Sequence, residues 1–279
     1  MWVYLNGEIL DSAEAKISPL DRGFTFGEGV YEVITSYDKN FFLFCEHLDR
    51  LKSSLEKTFI PYPKELSNLE NILSDLHDKN GFSNQSFYIQ ITRGVQEFRS
   101  HQDNILKAPT VFIASQNLEL NPYRINPEKK GLRARLEEDI RWARCDIKTT
   151  GLIGNVLSLH DQTKDEVDEI LFHKNGIIHE GSKSNVFFVK ENIVYTPSLK
   201  HNILPGVTRA YVIRLLKKNK ITLFEDSIPL DFIYKSDEIW LTSSTKEIQP
   251  IESIGDYKIP KKNSDLLIWR RILESFDGS

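Results

Sequence analysis

The chain has 279 residues, 40% of them apolar and 27% charged, which is enough to bury a sizeable core and too apolar for intrinsic disorder. Its 36 basic and 40 acidic residues leave a net charge of −4, which argues against a general binder of nucleic-acid backbone. The length suggests two domains at roughly 150 residues each, no apolar run approaches the roughly 20 residues of a membrane span, and Cys45 and Cys145 support neither a disulfide framework nor a metal quartet. The residues Met1 to Glu8 show no secretory signal, and the two cysteines read as free thiols of a reducing cytoplasm. The expectation is a cytoplasmic protein with small-molecule partners, no nucleic acid, no membrane and no metal.

In chain order, Trp2 to Leu5, Asn6-Gly7 and Glu8 to Leu10 read as a hairpin, since Asn-Gly suits a two-residue primed turn. Leu48, Leu51, Leu55 and Phe59 recur at helical spacing, predicting a helix over His47 to Phe59 that ends before Pro61 and Pro63. Leu66, Leu69, Leu73 and Leu76 repeat the pattern up to Asn80-Gly81. Phe87, Ile89 and Ile91 alternate with Tyr88, Gln90 and Thr92, a strand signal, and Val111 to Ala114 is a second strand. Asn117 to Pro127 holds two prolines and three asparagines without periodicity and reads as a linker. This sets the domains at 1–119 and 128–279, with the linker at 120–127. Further strands are expected at Leu132 to Leu136, Ile170 to His173, Val186 to Val189, Ile193 to Tyr195 and Ile239 to Thr242. Helices are expected at Val156 to Thr163, Thr208 to Asn219 and Leu266 to Phe276. Strands and helices mix in both halves without strict βαβ alternation, an α/β (α+β) pattern.

Several segments could carry chemistry, and each also has an ordinary structural reading. Asp21 to Glu32 is glycine-rich, but its glycines do not fit a dinucleotide fingerprint, and a turn-rich loop explains them. Arg50 lies within the first helix; its guanidinium fork suits a phosphate, although most helix arginines are solvated. Arg93, Arg99 and His101 follow a strand end, where they could trap a carboxylate or simply form a polar loop. Lys148 follows an aromatic and apolar stretch, a setting in which a lysine can become a Schiff-base former. Glu180 precedes a tight polar turn and a strand. Leu204-Pro205-Gly206-Val207-Thr208-Arg209 opens a helix whose free N–H groups suit phosphate, and Thr242-Ser243-Ser244-Thr245 offers hydroxyls and amides after a strand.

Taken together these segments resemble the fold-type IV family of pyridoxal-phosphate enzymes, over almost the whole chain. The most specific stretch is Glu180-x-Ser182-x-x-Asn185-Val186-Phe187, then Thr196, then Leu204-x-Gly206-Val207-x-Arg209. Within the family the chain is most similar to bacterial D-amino acid aminotransferases. The segment from Asp139 to Lys148 looks like their lysine segment, and Arg99-Ser100-His101 like their Arg-x-His carboxylate-binding element.

The resemblance implies a two-domain fold, with a smaller N-terminal α/β domain carrying the phosphate-clamp arginine and a larger C-terminal pseudo-barrel carrying the lysine. It implies pyridoxal 5'-phosphate as cofactor, bound by Arg50, Lys148, Glu180, Ser184, Asn185, Val207, Thr208, Ser243 and Ser244. Lys148 would be the catalytic residue, forming the Schiff base and shuttling a proton. Glu180 would keep the pyridine nitrogen protonated. Tyr31, Arg99, His101 and Thr245 would bind substrate, with Arg99 and His101 reaching in from the second subunit of a homodimer. The implied reaction exchanges the amino group between a D-amino acid, such as D-alanine, and a 2-oxo acid, such as 2-oxoglutarate. The alternatives on the same fold are a branched-chain L-amino acid aminotransferase and an aminodeoxychorismate lyase. Two departures stand out: the run from Arg93 to Arg99 is one residue longer than usual, and Lys246 stands where relatives carry a small residue.

Overall fold

The computed structural model describes residues 1–102, 108–160, 167–260 and 267–276. The chain divides into two units, one of residues 1–119 with 147–152, the other formed by 120–146 and the residues after 152.

The first unit opens with the hairpin, β1 (Trp2–Leu5) and β2 (Glu8–Asp11), and Asn6 and Gly7 both take positive φ at its turn as a primed turn requires. The glycine-rich segment is not one loop. Asp21 caps a short helix, α1 (Arg22–Phe26), by accepting from the Gly23 N–H at 2.7 Å, and Gly27 ends it in the left-handed region. The strand β3 (Gly29–Tyr37) starts two residues later, followed by β4 (Asn40–Phe41). Then come α2 (Phe44–Thr58), α3 (Leu69–Asn80), β5 (Asn84–Thr92) and β6 (Thr110–Asn117). Helix α2 begins earlier than its leucine spacing predicts because Phe44 also packs on the core.

These strands form an antiparallel sheet ordered β2-β1-β6-β5-β3-β4. Leu51 and Leu55 of α2 and Leu73 and Leu76 of α3 share a core with Ile34 of β3 and with Phe87, Ile89 and Ile91 of β5. Side chains alternate across a strand. Val30, Glu32 and Ile34 are therefore buried on one side of β3, while Tyr31 and Val33 on the other are only half-buried.

The second unit starts within the expected linker. Asn121 caps a single turn, α4 (Pro122–Ile125), with Pro122 at its first position and Tyr123 buried. Asn121 Nδ2 donates to the carbonyls of Lys246 and Ile248, both at 2.9 Å, and Arg124 pairs with Glu247 at 2.7 Å. Residues 120–126 are thus part of the second unit rather than a free connector.

The remaining elements are β7 (Leu132–Glu138), α5 (Ile153–His160), β8 (Glu169–Lys174), β9 (Ile177–Gly181), β10 (Asn185–Lys190), β11 (Ile193–Pro197), α6 (Val207–Lys218), β12 (Leu223–Asp226), β13 (Ile228–Pro229), β14 (Glu238–Ser243), β15 (Glu247–Ile254), β16 (Tyr257–Lys258) and α7 (Ile268–Glu274). Residues 161–163 of the expected third helix and Leu266 of the last lie outside the described residues. Among the described residues the strands follow the order β12-β11-β10-β14-β15-β7-β8-β9-β13, with β16 on β15. Strand β15 escapes sequence reading because Ile248, Ile251 and Ile254 recur every three residues, a helical interval. A register shift between Ile251 and Ser253 brings Ile251 and Ile254 into one core, while Ile248 is buried outside it.

Leu73 is fully buried at the centre of the first core. Leu73→Ala is expected to lower stability by about 2–5 kcal/mol, read as a fall in the urea midpoint monitored by circular dichroism.

Candidate active site

Lys148 lies in the first unit, not with the C-terminal half of the chain where its sequence position put it. Residues 147–152 run beside the start of β3. The Tyr31 N–H donates to the Lys148 carbonyl at 2.9 Å, the Thr150 N–H to the Gly29 carbonyl at 3.0 Å, and Val30 and Thr149 form an antiparallel bridge. Ile147 is buried in the core and pins the segment. The half-buried Lys148 side chain places Nζ 4.1 Å from the centroid of the Tyr31 ring, and Tyr31 packs on Tyr88 at 5.5 Å. Burial pushes the Tyr88 hydroxyl up to about 12, so it stays protonated and donates to Gln90 at 2.7 Å.

Arg50 is oriented by a partner that sequence reading passed over. Glu32, on the core side of β3, accepts from Arg50 Nε at 2.9 Å and Nη2 at 2.6 Å, and faces His47 Nδ1 at 3.1 Å. Burial disfavours the Glu32 charge, but the Arg50 guanidinium and His47 outweigh it and hold the carboxyl well below the usual carboxylate range. The available signals were an acid flanked by buried apolar positions in a strand, and His47 and Arg50 three apart on one helix face.

Arg99 and His101 flank a single ring. The Arg99 guanidinium carbon lies 4.4 Å from the Phe26 centroid, and the His101 ring 5.2 Å from it.

In the second unit, Glu180 sits near the end of β9, fully buried among donors. Oε1 accepts from Arg141 Nη1 at 2.8 Å; Oε2 accepts from Asn185 Nδ2 at 3.1 Å and from the Leu204 N–H at 3.0 Å. Burial pushes the carboxyl up to about 7, against the pull of Arg141 and the Leu204 N–H. Arg141 is itself gripped at two points by Asp139, at 2.9 Å each, and stands over the Phe172 ring at 4.4 Å. Asp139 also meets His179 at 3.0 Å. Burial opposes the Asp139 charge, but His179 and Arg141 outweigh it and hold that carboxyl well below its usual range. Asp139, Arg141 and His179 were not singled out from sequence, although two of them lie in the lysine segment.

The second unit also gathers Val207 and Thr208, at the first turn of α6. Its cap, Gly206, supplies no side-chain hydrogen bond, and the first turn holds no acidic residue, so the leading N–H groups face no charge of their own helix. A Cβ at Gly206 would lie 2.0 Å from Asn185 Oδ1, so glycine alone lets this turn approach Asn185. Ser184 donates its hydroxyl to the buried Glu169 carboxylate at 2.9 Å, and Ser182 donates to the same group. Both serines thus anchor the turn after Glu180. Arg209 is turned away, buried against the Pro197 carbonyl and Glu225. Ser243 ends β14; Ser244 and Thr245 follow it half-buried, and Lys246 is exposed.

Cys145 is buried and Cys45 exposed, both as free thiols, and burial pushes the Cys145 thiol up to about 11, which leaves it unreactive. Among the described residues no three His, Cys, Asp or Glu side chains group as a metal site, and no helix is long and apolar enough to cross a membrane.

Comparison with known proteins shows the family. The family model for amino-transferase class IV matches residues 29–254. The D-alanine aminotransferase of Staphylococcus haemolyticus is 33% identical over 262 residues, covering 92% of each chain. That of Listeria monocytogenes serotype 1/2a is 35% identical over 263 residues, covering 93% of this chain and 89% of the relative. Among solved structures, the Escherichia coli branched-chain amino acid aminotransferase superposes with a TM-score of 0.88 at 23% identity, covering 98% of this chain and 92% of that one. The branched-chain aminotransferase from Thermoproteus uzoniensis gives 0.85 at 26% identity, with the same coverage. With the model spanning most of the chain and relatives this similar over nine-tenths of it, the protein belongs to the class IV amino-transferase family.

Proposed function

We propose that this protein is a pyridoxal-phosphate-dependent aminotransferase that exchanges the amino group between a D-amino acid, such as D-alanine, and a 2-oxo acid, such as 2-oxoglutarate. What carries the substrate class is the match, over more than nine-tenths of the chain, to relatives named D-alanine aminotransferases.

The residues present fit the cofactor. Glu180 is a buried carboxylate whose Oε1, among the described residues, accepts from Arg141 alone, leaving acceptor capacity for a protonated ring nitrogen. The uncapped first turn of α6 offers N–H groups to a phosphate. Pyridoxal phosphate, when bound, supplies the electron sink that lets the substrate α-proton leave.

In this reading Lys148 would hold the cofactor until the substrate amine takes its place, and the freed Nζ would then take the proton from the substrate Cα and return it on the other side of the exchange. Glu180, steadied by Asn185, stays ionised against the ring nitrogen, while Ser184 acts through Glu169 to hold the turn that presents it. Arg50, Val207, Thr208, Ser243 and Ser244 take the phosphate. Tyr31, Arg99, His101 and Thr245 receive the substrate, the first three at its carboxylate.

Arg99 and His101 serve a neighbouring copy in a homodimer. That assembly is supported by α5, where Ile153, Val156 and Leu157 stand exposed on one helix. The free thiols fit a cytoplasmic setting.

A steady-state panel tests the substrate class: turnover is expected with D-alanine and 2-oxoglutarate and not with L-leucine, and the reverse pattern would move the protein to the branched-chain reading. Lys148→Ala is expected to lose at least about a thousandfold in turnover and to give no borohydride-stable adduct by mass spectrometry. Normal turnover in that variant refutes the assigned role. The pH test concerns Glu180. Its folded pKa is raised, so its contribution to stability is greatest below its ordinary value and declines as pH rises towards about 7. In thermal melts of cofactor-free protein, Glu180→Gln is expected to gain on the wild type between about pH 5 and pH 8; parallel curves would contradict this.

A further inference from the structure

In the first unit, the segment that carries Arg99 and His101 is tied to α1. The Arg22 N–H donates to the Gly94 carbonyl at 3.0 Å, the Gln96 N–H to the Leu20 carbonyl at 3.2 Å, and Asp21 and Val95 form an antiparallel bridge. Arg22, a residue only 6% exposed, donates Nη1 to Gln96 Oε1 at 2.5 Å and to the Ser100 carbonyl at 2.6 Å. Its Nε donates to Glu28, which also accepts from Arg93 Nε. One carboxylate thus sits against two guanidiniums, which lets Arg22 stand near a further arginine.

Phe26, on the last turn of α1, is the shared surface. The guanidinium carbons of Arg22 and Arg99 lie 4.6 and 4.4 Å from its ring centroid, and the His101 ring is 5.2 Å away at 57°. The charge of a guanidinium is attracted to an aromatic face. A flexible arginine restrained on such a face gives up less freedom when an anion arrives.

We propose that Phe26, fixed by Arg22, is a positioning residue that presents Arg99 and His101 to the α-carboxylate shared by the amino acid and the oxo acid. The inference rests on the carboxylate-binding role given to Arg99 and His101 above. It adds that the pair works through an aromatic platform built by the glycine-rich segment.

The test compares the holoenzyme with Phe26→Leu, Phe26→Tyr and Arg99→Ala. Three quantities are read: KM for D-alanine and for 2-oxoglutarate, kcat, and the dissociation constant of propionate, followed by the cofactor absorbance. Phe26→Leu keeps an apolar side chain at a half-buried position but loses the ring face. It is expected to raise both KM values and the propionate constant about threefold to thirtyfold, with kcat within about twofold. Phe26→Tyr, which keeps the face, is expected to stay near wild type. Unchanged KM and propionate binding in Phe26→Leu, with Arg99→Ala raising both, overturns the platform and leaves the carboxylate role standing. Unchanged values in Arg99→Ala as well withdraw the carboxylate role and the platform with it.

Discussion

A carboxylate buried without compensation costs several kcal/mol, and among those this chain buries near its proposed site are Glu32 and Glu180. Glu32 and Glu180 are each met by one arginine and at least one further polar group. The outcomes differ. Glu32 is satisfied on both oxygens by Arg50 and held strongly ionised, so it serves as a fixed support for the guanidinium above it. Glu180 spends one oxygen on Asn185 and Leu204 and meets with the other Arg141, which Asp139 also grips, while burial raises the pKa of Glu180. It is left poised near neutrality, where an added cationic partner has most to offer. The same pairing therefore makes a fixed support in one unit and, in the other, a carboxylate with room for a further partner.

Several residues with proposed roles are held in place by neighbouring polar groups. Glu169 holds Ser182 and Ser184, and through them the turn after Glu180. Gly206 gives way to Asn185, which in turn holds both Glu180 and the Leu204 carbonyl. Hydrogen-bonded supports of this kind keep rotamers narrow, and narrow rotamers are what proton transfer and anion binding need.

Much of this was legible in the chain itself. The leucine spacing of α2 and α3 and the alternation in β5 are direct readings of a one-sided core, and the roles proposed for Lys148 and Glu180 come from the resemblance to a known family. What escaped was non-local or locally contrary. Strand β3 is prefaced by glycines that read as loop, and it carries Glu32 on its core face. In strand β15 a register shift after Ile251 puts Ile251 and Ile254 in one core at a helical interval. Residues 120–126 look like a connector until Asn121 and Arg124 find partners more than a hundred residues away. Partnerships such as Arg141 with Glu180 depend on strands that meet only in the folded chain.

The run from Ile147 to Leu152 has a second consequence. At Gly29 to Tyr31, β3 has β5 on one side, while β4 reaches only Ser36 and Tyr37 on the other. The backbone of Lys148 and Thr150 supplies the missing hydrogen bonds there. An uncovered strand edge is a template for unwanted pairing with another chain. The segment that delivers the lysine therefore also guards the sheet against aggregation, and a fragment cut after residue 119 would lose that guard along with the lysine.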